Sequence, residues 1–442
     1  MAIDQVKMNE YMIVNAVLYG YDGVSECFCE NGSVLVKNGI IEDIGMTDVL
    51  KAEHPETRYI DAGGRMLLSG FVNAHHHLYS FFAAGLKPHK APGTFPEILE
   101  NLWWPLDRAL DEESIYYSSL MGALESVSFG VTTVFDHHAS MNSVRGSLEL
   151  IKKAFEKVGL RGILCFETSD RSGDATSHIE ENVSFYEANK GNPKMKGMFG
   201  LHANMTLSEW TLGLIKEARS FDMPIHIHCG ESYEDIAYCM NSGYLGAVDR
   251  LAAFDLITPN SILAHCVHVS ERDRAIIDEI RPFIVTNPES NANNRVGKFN
   301  RSNIPRHLLG TDGMSGDMIS SLRAYCMLGD GAREPFSRMG SIFFNNMSEL
   351  AGRFFPGCGT LKKGAAADIT VLDYIPIGHI ECSNVLGHIL YGAKTGRSWL
   401  TAVDGKVVWH DGKYPDMDIA SLMEESAAAA CKLHRRFMDL KC

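Results

Sequence analysis

The chain has 442 residues, 45% hydrophobic and 22% charged, which is ordinary for a soluble globular protein. Its formal net charge of -14 argues against nucleic acid or an acidic membrane surface as partner, because proteins that bind these usually carry a basic patch. We find neither the roughly 18 uninterrupted apolar residues of a membrane span nor the apolar core of a signal peptide. We therefore expect a cytoplasmic protein that acts on a small molecule, with its 11 cysteines mostly reduced.

The two ends of the chain share a texture of short apolar runs separated by turn residues. Residues 11–14 and 33–41 predict antiparallel strands, as do residues 368–372 and 401–408. Asp404-Gly405 is typical of a hairpin turn. We predict one small β-sandwich module built from residues 1–65 and 362–415, with a C-terminal helix in residues 416–442 that packs on the body.

The centre of the chain alternates short apolar runs with helical stretches. The predicted strands cover residues 66–74, 131–135, 162–166, 197–201, 224–228, 261–265, 283–286 and 306–310. Eight such β/α units are typical of a TIM barrel, which would occupy residues 66–361. The predicted fold class is therefore α/β, a distorted (β/α)8 barrel with a small β-sandwich module.

Polar residues follow most of these predicted strands. Active sites of TIM barrels lie at the carboxyl ends of the strands. The residues at these ends are His75-His76-His77, Asp136-His137-His138, His202, His228-Cys229-Gly230-Glu231, His265, Asn287 and Asp312. Chance would seldom place histidine or aspartate after so many strands. We therefore predict that these residues act together in catalysis; the alternative is a set of unrelated surface histidines.

His75 and His77 lie two residues apart at the end of the first strand, so their imidazoles face the same side. Imidazoles suit zinc, iron or nickel, and a catalytic site needs further ligands and one open position. His228 supplies a third imidazole, and Asp312 supplies a carboxylate from the opposite side of the ring of strands. A structural histidine cluster is the alternative.

Two further residues are predicted to move protons or hold substrate. Glu231, three residues after His228, is near enough to carry a proton from an attacking water to a leaving nitrogen. The alternative for Glu231 is a carboxylate stabilised by a helix dipole. His265 could orient or polarise the substrate, or be a core histidine. His226 is expected to pack in the core or to support a ligand, and not to bind the metal itself.

Several motifs resemble those of the amidohydrolase superfamily. Residues 70–77 fit its Gly-x-x-Asn-x-His-x-His, His228-x-x-Glu231 fits its His-x-x-Glu, and residues 309–313 fit its Leu-Gly-Thr-Asp-Gly. The resemblance is to the branch of metal-dependent aminohydrolases that includes guanine and triazine deaminases. Residues 101–113, 136–140 and 291–294 are similar to the SsnA-type aminohydrolases, a group whose substrate is not settled.

This resemblance implies one zinc or iron ion and a homodimer. It implies His75, His77, His228 and Asp312 as metal ligands, Glu231, His265 and Asp312 as catalytic groups, and His202 as a substrate contact. Binuclear relatives need a bridging lysine or glutamate near the end of strand four. Residues 200–204 contain neither, so the resemblance favours a mononuclear site.

Departures from the family pattern bear on the substrate. Asp107 stands where nucleoside deaminases carry a glutamate that grips ribose hydroxyls, and it is one methylene shorter. Gly316 replaces a frequent serine, with Ser315 one residue early. Both departures weaken the case for a nucleoside. Trp103 and Trp104 could form an aromatic wall beside a planar substrate, or pack within the first loop.

The leading hypothesis is hydrolysis of a C–N bond in a purine-like base or related nitrogen heterocycle, with release of ammonia. Hydrolysis of an amide or cyclic amide is the alternative within the same superfamily, because the same groups can attack a carbonyl. A binding protein descended from such an enzyme is a more remote alternative. That reading predicts a missing ligand or a missing Glu231, and all of them are present.

Overall fold

The protein is described by a computed structural model that covers residues 10–173, 175–220 and 222–440. Its strands are β1 Glu10–Tyr21, β2 Glu26–Lys37, β3 Ile40–Met46, β4 Tyr59–Asp61, β5 Met66–Ser69, β6 Phe71–His76, β7 Val131–His138, β8 Arg161–Phe166, β9 Met195–Gly197, β10 Phe199–Ala203, β11 Ile225–Cys229, β12 Ile262–His265, β13 Phe283–Thr286, β14 Leu308–Leu309, β15 Ile369–Leu372, β16 Ser398–Val403 and β17 Lys406–His410.

The helices alternate with the central strands. They are α1 Thr47–Glu53, α2 Phe95–Ile98, α3 Trp104–Ala109, α4 Glu112–Ser128, α5 Ser147–Val158, α6 Ala175–Asn189, α7 Glu209–Ala218, α8 Tyr233–Asn241, α9 Ala247–Ala253, α10 Glu271–Ile280, α11 Pro288–Asn293, α12 Met318–Leu328, α13 Phe336–Gly340, α14 Asn346–Phe354, α15 Val385–Gly387 and α16 Ile419–Asp439. No helix in the described ranges is long and apolar enough to cross a membrane.

One mixed, largely antiparallel sheet unites the two ends of the chain, as predicted. Its strand order is β17-β16-β15-β5-β1-β2-β3, with β4 beside β1. The predicted hairpin turn lies between β16 and β17, where Asp404 and Gly405 have φ of 54° and 71°. Arg161 at the start of β8 is buried and binds Asp368 and Asp404 at 2.9 Å each, which fastens this sheet to the central strands.

The central strands form two parallel sheets, β6-β7-β8-β9 and β10-β11-β12-β13-β14. Isolated parallel bridges link the two sheets, between His76 and Asp312 on one side and between Thr168 and Leu201 on the other. The strands therefore follow each other in barrel order with irregular junctions. This arrangement confirms the predicted distorted barrel with a second β sheet from both termini.

The first predicted strand, residues 66–74, is two strands in the structure, and the prediction of one strand is wrong. β5 pairs with β1 and β15, whereas β6 pairs with β7. The chain changes sheets at Gly70, where a Cβ would lie 2.3 Å from side-chain atoms of Thr132, so only glycine fits. The domain boundaries, 1–65 with 362–415, 66–361 and 416–442, stay a prediction.

The C-terminal helix α16 packs beside α3 and α4. Lys432 binds Glu113 at 2.8 Å, and Arg436 donates to the Ala109 carbonyl at 2.8 Å. His434 Nε2 donates to the carbonyl of Phe82 at 2.8 Å. The helix thereby buttresses the long loop after β6. Residues 441–442 of the predicted helix lie outside the described residues.

Candidate active site

The four residues predicted as metal ligands converge at the carboxyl ends of the parallel strands. Asp312 Oδ1 lies 2.9 Å from His77 Nε2 and 3.3 Å from His75 Nε2. His77 Nε2 lies 3.1 Å from His228 Nε2. The three histidines are buried, and the Asp312 side chain is only 13% exposed. The structure thus brings one carboxylate oxygen and three imidazole nitrogens to a single point.

Neighbouring groups fix the orientation of two of these imidazoles. His77 Nδ1 lies 2.5 Å from the carbonyl oxygen of His137, which can only accept, so Nδ1 carries the proton and Nε2 a lone pair. His75 Nδ1 lies 2.8 Å from His226 Nε2, so Nδ1 of His75 can donate while its Nε2 faces the cluster. His226 therefore occupies the supporting position that the sequence predicted for it.

Asp312 follows the short strand β14 in the left-handed region, with φ of 54°. Its own backbone oxygen accepts from His76 Nδ1 at 2.7 Å, and Ser290 Oγ donates to its Oδ2 at 2.5 Å. Burial would raise the pKa of this carboxyl, but its contacts with His75 and His77 outweigh burial and hold the pKa well below its usual range. Asp312 is therefore an anion that faces three imidazoles.

The cluster fits a divalent ion. Around a tetrahedral metal with bonds of about 2.0–2.1 Å, neighbouring ligand atoms are roughly 3.3 Å apart, close to the separations seen here. Nε2 of His75 is buried without a hydrogen-bond partner among the described residues, which suits a lone pair reserved for a metal. His265 lies in the same cluster, since its ligand atom is within 4.8 Å of those of His75, His228 and Asp312.

Glu231 and His265 lie together beside this cluster. Glu231 Oε2 is 3.6 Å from His265 Nε2, and His265 Nε2 is 3.9 Å from Asp312 Oδ2. Gly230 makes the turn that presents Glu231, because its φ is 55° and a Cβ would lie 2.3 Å from the His268 carbonyl. Burial raises the pKa of Glu231 to about 7. A carboxyl with that pKa can both accept and return a proton near neutrality.

A cavity of about 770 Å³ opens above the cluster. Its lining includes the predicted substrate contacts Trp103, Trp104, Asp107 and His202. Ser315, also predicted as a substrate contact, is not among the lining residues; its hydroxyl accepts a hydrogen bond from the backbone N–H of Asp317. The predicted aromatic wall is thus at the cavity, together with Tyr79 and Phe95.

Two residues of this region were not predicted, Glu167 and Arg171. Glu167 follows β8 directly and lines the cavity, and Arg171 binds both Glu167 and Asp107, the latter at 2.9 Å. The Arg171 guanidinium also lies 5.2 Å from the centre of a Trp104 ring. Glu167 could have been found from the sequence, since it stands at the end of a predicted strand. Nothing in the sequence pairs Arg171 with Asp107.

The sequence profile of the amidohydrolase family matches residues 66–408, most of the chain. The chain belongs to the amidohydrolase family. This amidohydrolase is 26% identical over 434 residues to the 5-methylthioadenosine/S-adenosylhomocysteine deaminase of Caldicellulosiruptor saccharolyticus, covering 94% of this chain and 97% of the relative. It is also 26% identical to the 5'-deoxyadenosine deaminase of Methanococcus maripaludis, covering 90% and 96% of the two chains.

Solved structures share the fold of this amidohydrolase at lower identity. A zinc-bound adenosine deaminase from Xanthomonas campestris superimposes with a TM-score of 0.80 at 18% identity, over 96% of this chain and 98% of that one. Guanine deaminase from E. coli superimposes with a TM-score of 0.76 at 18% identity, over 91% and 99% of the two chains. These likenesses establish the fold.

Proposed function

We propose that this amidohydrolase is a metal-dependent aminohydrolase that replaces an amino group on a nitrogen heterocycle by oxygen and releases ammonia. One observation carries the proposal. The ligand atoms of His75, His77, His228 and Asp312 converge beside Glu231 and His265, at the base of a cavity with aromatic walls. The names of the relatives support it, because they are deaminases of adenosine derivatives.

His75, His77, His228 and Asp312 are the residues that would hold one divalent ion, zinc or iron. The similar adenosine deaminase structure from Xanthomonas campestris has bound zinc, which supports zinc as the ion here. A divalent ion held by such a set lowers the pKa of a water molecule to about 7, which supplies hydroxide chemistry at neutral pH. Asp312 would also accept a proton, because Oδ2 faces Ser290 and His265 while Oδ1 faces the histidines.

Glu231 would carry the proton that hydrolysis moves. As the water oxygen adds to the carbon that bears the amino group, one water proton passes to Glu231 and then to the leaving nitrogen. The C–N bond breaks, ammonia leaves and the ring carbon keeps oxygen. The 3.6 Å separation of Glu231 Oε2 and His265 Nε2 lets His265 stabilise the carboxylate form and polarise the substrate.

Trp103, Trp104, Asp107 and His202 would contact the substrate, since all four line the cavity. We further propose a homodimer that works in the cytoplasm, as the resemblance implies. Size-exclusion chromatography with light scattering would test the dimer, for which a mass of one chain is the contrary result.

The test is a panel of purines, pterins, pyrimidines, triazines and hydantoins, incubated with metal-loaded protein and assayed for both ammonia and new carboxylate. We expect ammonia from at least one aminated heterocycle and no carboxylate. Carboxylate without ammonia would assign the protein to amide hydrolysis instead. The Glu231→Gln variant measures the background rate of ammonia release, because it should retain the fold and the cavity but lacks the proposed proton carrier.

A further inference from the structure

One wall of the cavity has a composition that the proposed chemistry does not use. It consists of Glu167, His202 and Asp107, with Arg171 behind them, and we call it the acceptor wall. Glu167 and Asp107 are each 2% exposed, and His202 is 6% exposed. All three line the cavity, whereas Arg171 is not among the lining residues. Buried polar groups normally have hydrogen-bond partners. An acceptor atom of this wall that has no donor in the protein therefore indicates where a ligand could donate a hydrogen bond.

His202 presents a hydrogen-bond acceptor to this wall. Its Nδ1 lies 2.8 Å from Thr206 Oγ1, and the Thr206 hydroxyl donates its own hydrogen to the carbonyl of Ala203 at 2.9 Å. Thr206 Oγ1 must therefore accept from His202, which places the imidazole proton on Nδ1 and a lone pair on Nε2.

A second acceptor lies beside this lone pair. His202 Nε2 is 3.7 Å from Glu167 Oε1. Two acceptors at that separation cannot bond each other, but they can share the two hydrogens of an amino group or those of adjacent ring N–H and amino groups. Asp107 adds a third acceptor, because its Oδ1 is buried without a hydrogen-bond partner among the described residues.

The charges of the wall do not balance. Among the residues that the structure describes, Arg171 is the one cation that contacts it, through ion pairs with Asp107 and Glu167, so two carboxylates share a single guanidinium. The described residues that line the cavity include no lysine and no arginine.

The acceptor wall lies close to the reacting centre. The ligand atoms of Glu167, His202 and His228 are all within 4.8 Å of one another. If the amino-bearing carbon of a ring lies beside His228, the adjacent edge of that ring faces Glu167 and His202. Trp104 and Tyr79 bound the same part of the cavity and suit a flat ring.

We propose that the acceptor wall selects heterocycles that present adjacent N–H donors, an amidine or guanidine edge, over rings that present lone pairs there. This inference rests on the proposed function for its assignment to a substrate, and it names the chemical class of that substrate. Glu167 is then a specificity-determining residue, with Arg171 as the residue that positions Glu167 and Asp107.

The activity test uses matched pairs that differ by one amino group: 2,6-diaminopurine against adenine, and 2,4-diaminopyrimidine against 4-aminopyrimidine. We expect kcat/KM for ammonia release to be ~10- to 100-fold higher for the diamino member, the range for a hydrogen bond to a charged group. Glu167→Gln should bring this ratio close to one. Glu180→Gln, which alters an exposed ion pair with Arg145, should leave the ratio unchanged.

A binding test needs no turnover. Metal-loaded protein is titrated with benzamidine and with benzamide, two flat rings of similar size; benzamidine has one more donor-bearing nitrogen and is positively charged at neutral pH. We expect benzamidine to bind at least ~10-fold more tightly, and Glu167→Gln to remove most of that difference. If a variant does not fold, the wild-type ratios of kcat/KM and of affinity still test the proposed selectivity.

Equal kcat/KM within each pair, with ammonia released from both members, would overturn the selection while leaving the proposed function intact. If no heterocycle releases ammonia but Glu167→Gln removes a preference for benzamidine, the proposed function is refuted and the selectivity of the acceptor wall is supported. A second equivalent of metal that is lost in Glu167→Gln would assign Glu167 to metal binding and overturn the inference.

Discussion

Asn291 Oδ1 lies 2.8 Å from Nδ1 of His265. An amide oxygen can only accept, so Nδ1 carries a proton and Nε2 is turned toward Glu231. The Asn291 amide nitrogen donates to Thr286 Oγ1 at 3.4 Å, which sets the direction of the amide. Asn291 therefore acts on the proposed chemistry through His265, as a positioning residue.

We expect Asn291→Leu to lower kcat by about 10- to 100-fold, the usual effect of removing a group that orients a site residue, while metal content stays unchanged. Asn291→Asp should recover much of the rate, because a carboxylate also accepts from Nδ1. The acid limb of the kcat pH profile should move in the Leu variant and return in the Asp variant. Normal kcat in Asn291→Leu would remove Asn291 from this role.

Glu231→Gln should keep the metal and lose most turnover, because an amide neither accepts nor returns a proton. We expect kcat to fall on the order of a hundredfold to ten-thousandfold. Glu234→Gln is the matched control, since Glu234 lies exposed one turn later and should not affect kcat. A near-normal rate in Glu231→Gln would transfer proton movement to His265.

The strand-end rule predicted much of this site from the sequence. His75, His77, His228 and Asp312 are far apart in the chain, yet strand parity and barrel topology bring them together, because carboxyl ends of parallel strands share one face. Glu167 directly follows β8 and so also fits the strand-end rule, but it was not predicted.

Features that depend on long-range contacts could not be predicted. The break at Gly70 depends on the Thr132 side chain, 62 residues away in the chain but adjacent in space. The pairing of Arg171 with Asp107 depends on two loops meeting above the barrel. Hydrogen-bond partners such as Thr206 for His202 depend on side-chain geometry that no sequence pattern reports.

We predict that a free heterocyclic base has a higher kcat/KM than its nucleoside. Asp107 Oδ2 is bound to Arg171 at 2.9 Å, so this shorter side chain is held at the wall instead of reaching toward ribose hydroxyls. Matched base and nucleoside pairs measure the preference, and Asp107→Glu should narrow it by restoring about 1.5 Å of reach, the length of one C–C bond. Higher kcat/KM for nucleosides, toward which the relatives' names point, would show this reasoning to be wrong.

His307 should make stability depend on pH. Its Nδ1 donates to the Ile304 carbonyl at 2.7 Å, its Nε2 accepts from Tyr325, and burial lowers its pKa from 6.5 to about 4. Above pH ~6.5 both folded and unfolded forms are neutral at this residue, so its contribution is constant. As the pH falls from 6.5 toward 4, the unfolded chain binds a proton that the folded chain does not.

The free energy of unfolding should therefore fall by about 1.4 kcal/mol per pH unit in that window, about 3 kcal/mol in all, from His307 alone. Denaturant unfolding of wild type and His307→Gln at several pH values isolates this contribution, since other groups titrate equally in both. We expect the stability advantage of wild type to shrink by that amount between pH 7 and 4. Parallel curves for the two proteins would contradict it.

Metal content tests the ligand assignment. His228→Ala should lose most of its bound metal, because it removes one of three imidazoles. His379→Ala, whose imidazole is 78% exposed, should keep the wild-type content. Full metal retention in His228→Ala would show that the ligand set is wrong.

The central claim, hydrolytic deamination that depends on one metal ion, is tested most directly by titrating metal-free protein with Zn²⁺ and following ammonia release from the best heterocycle of the panel. We predict no ammonia without metal, a linear rise in rate, and a sharp break at one equivalent per chain. Ammonia release before any metal is added, or a break at two equivalents, would contradict the account.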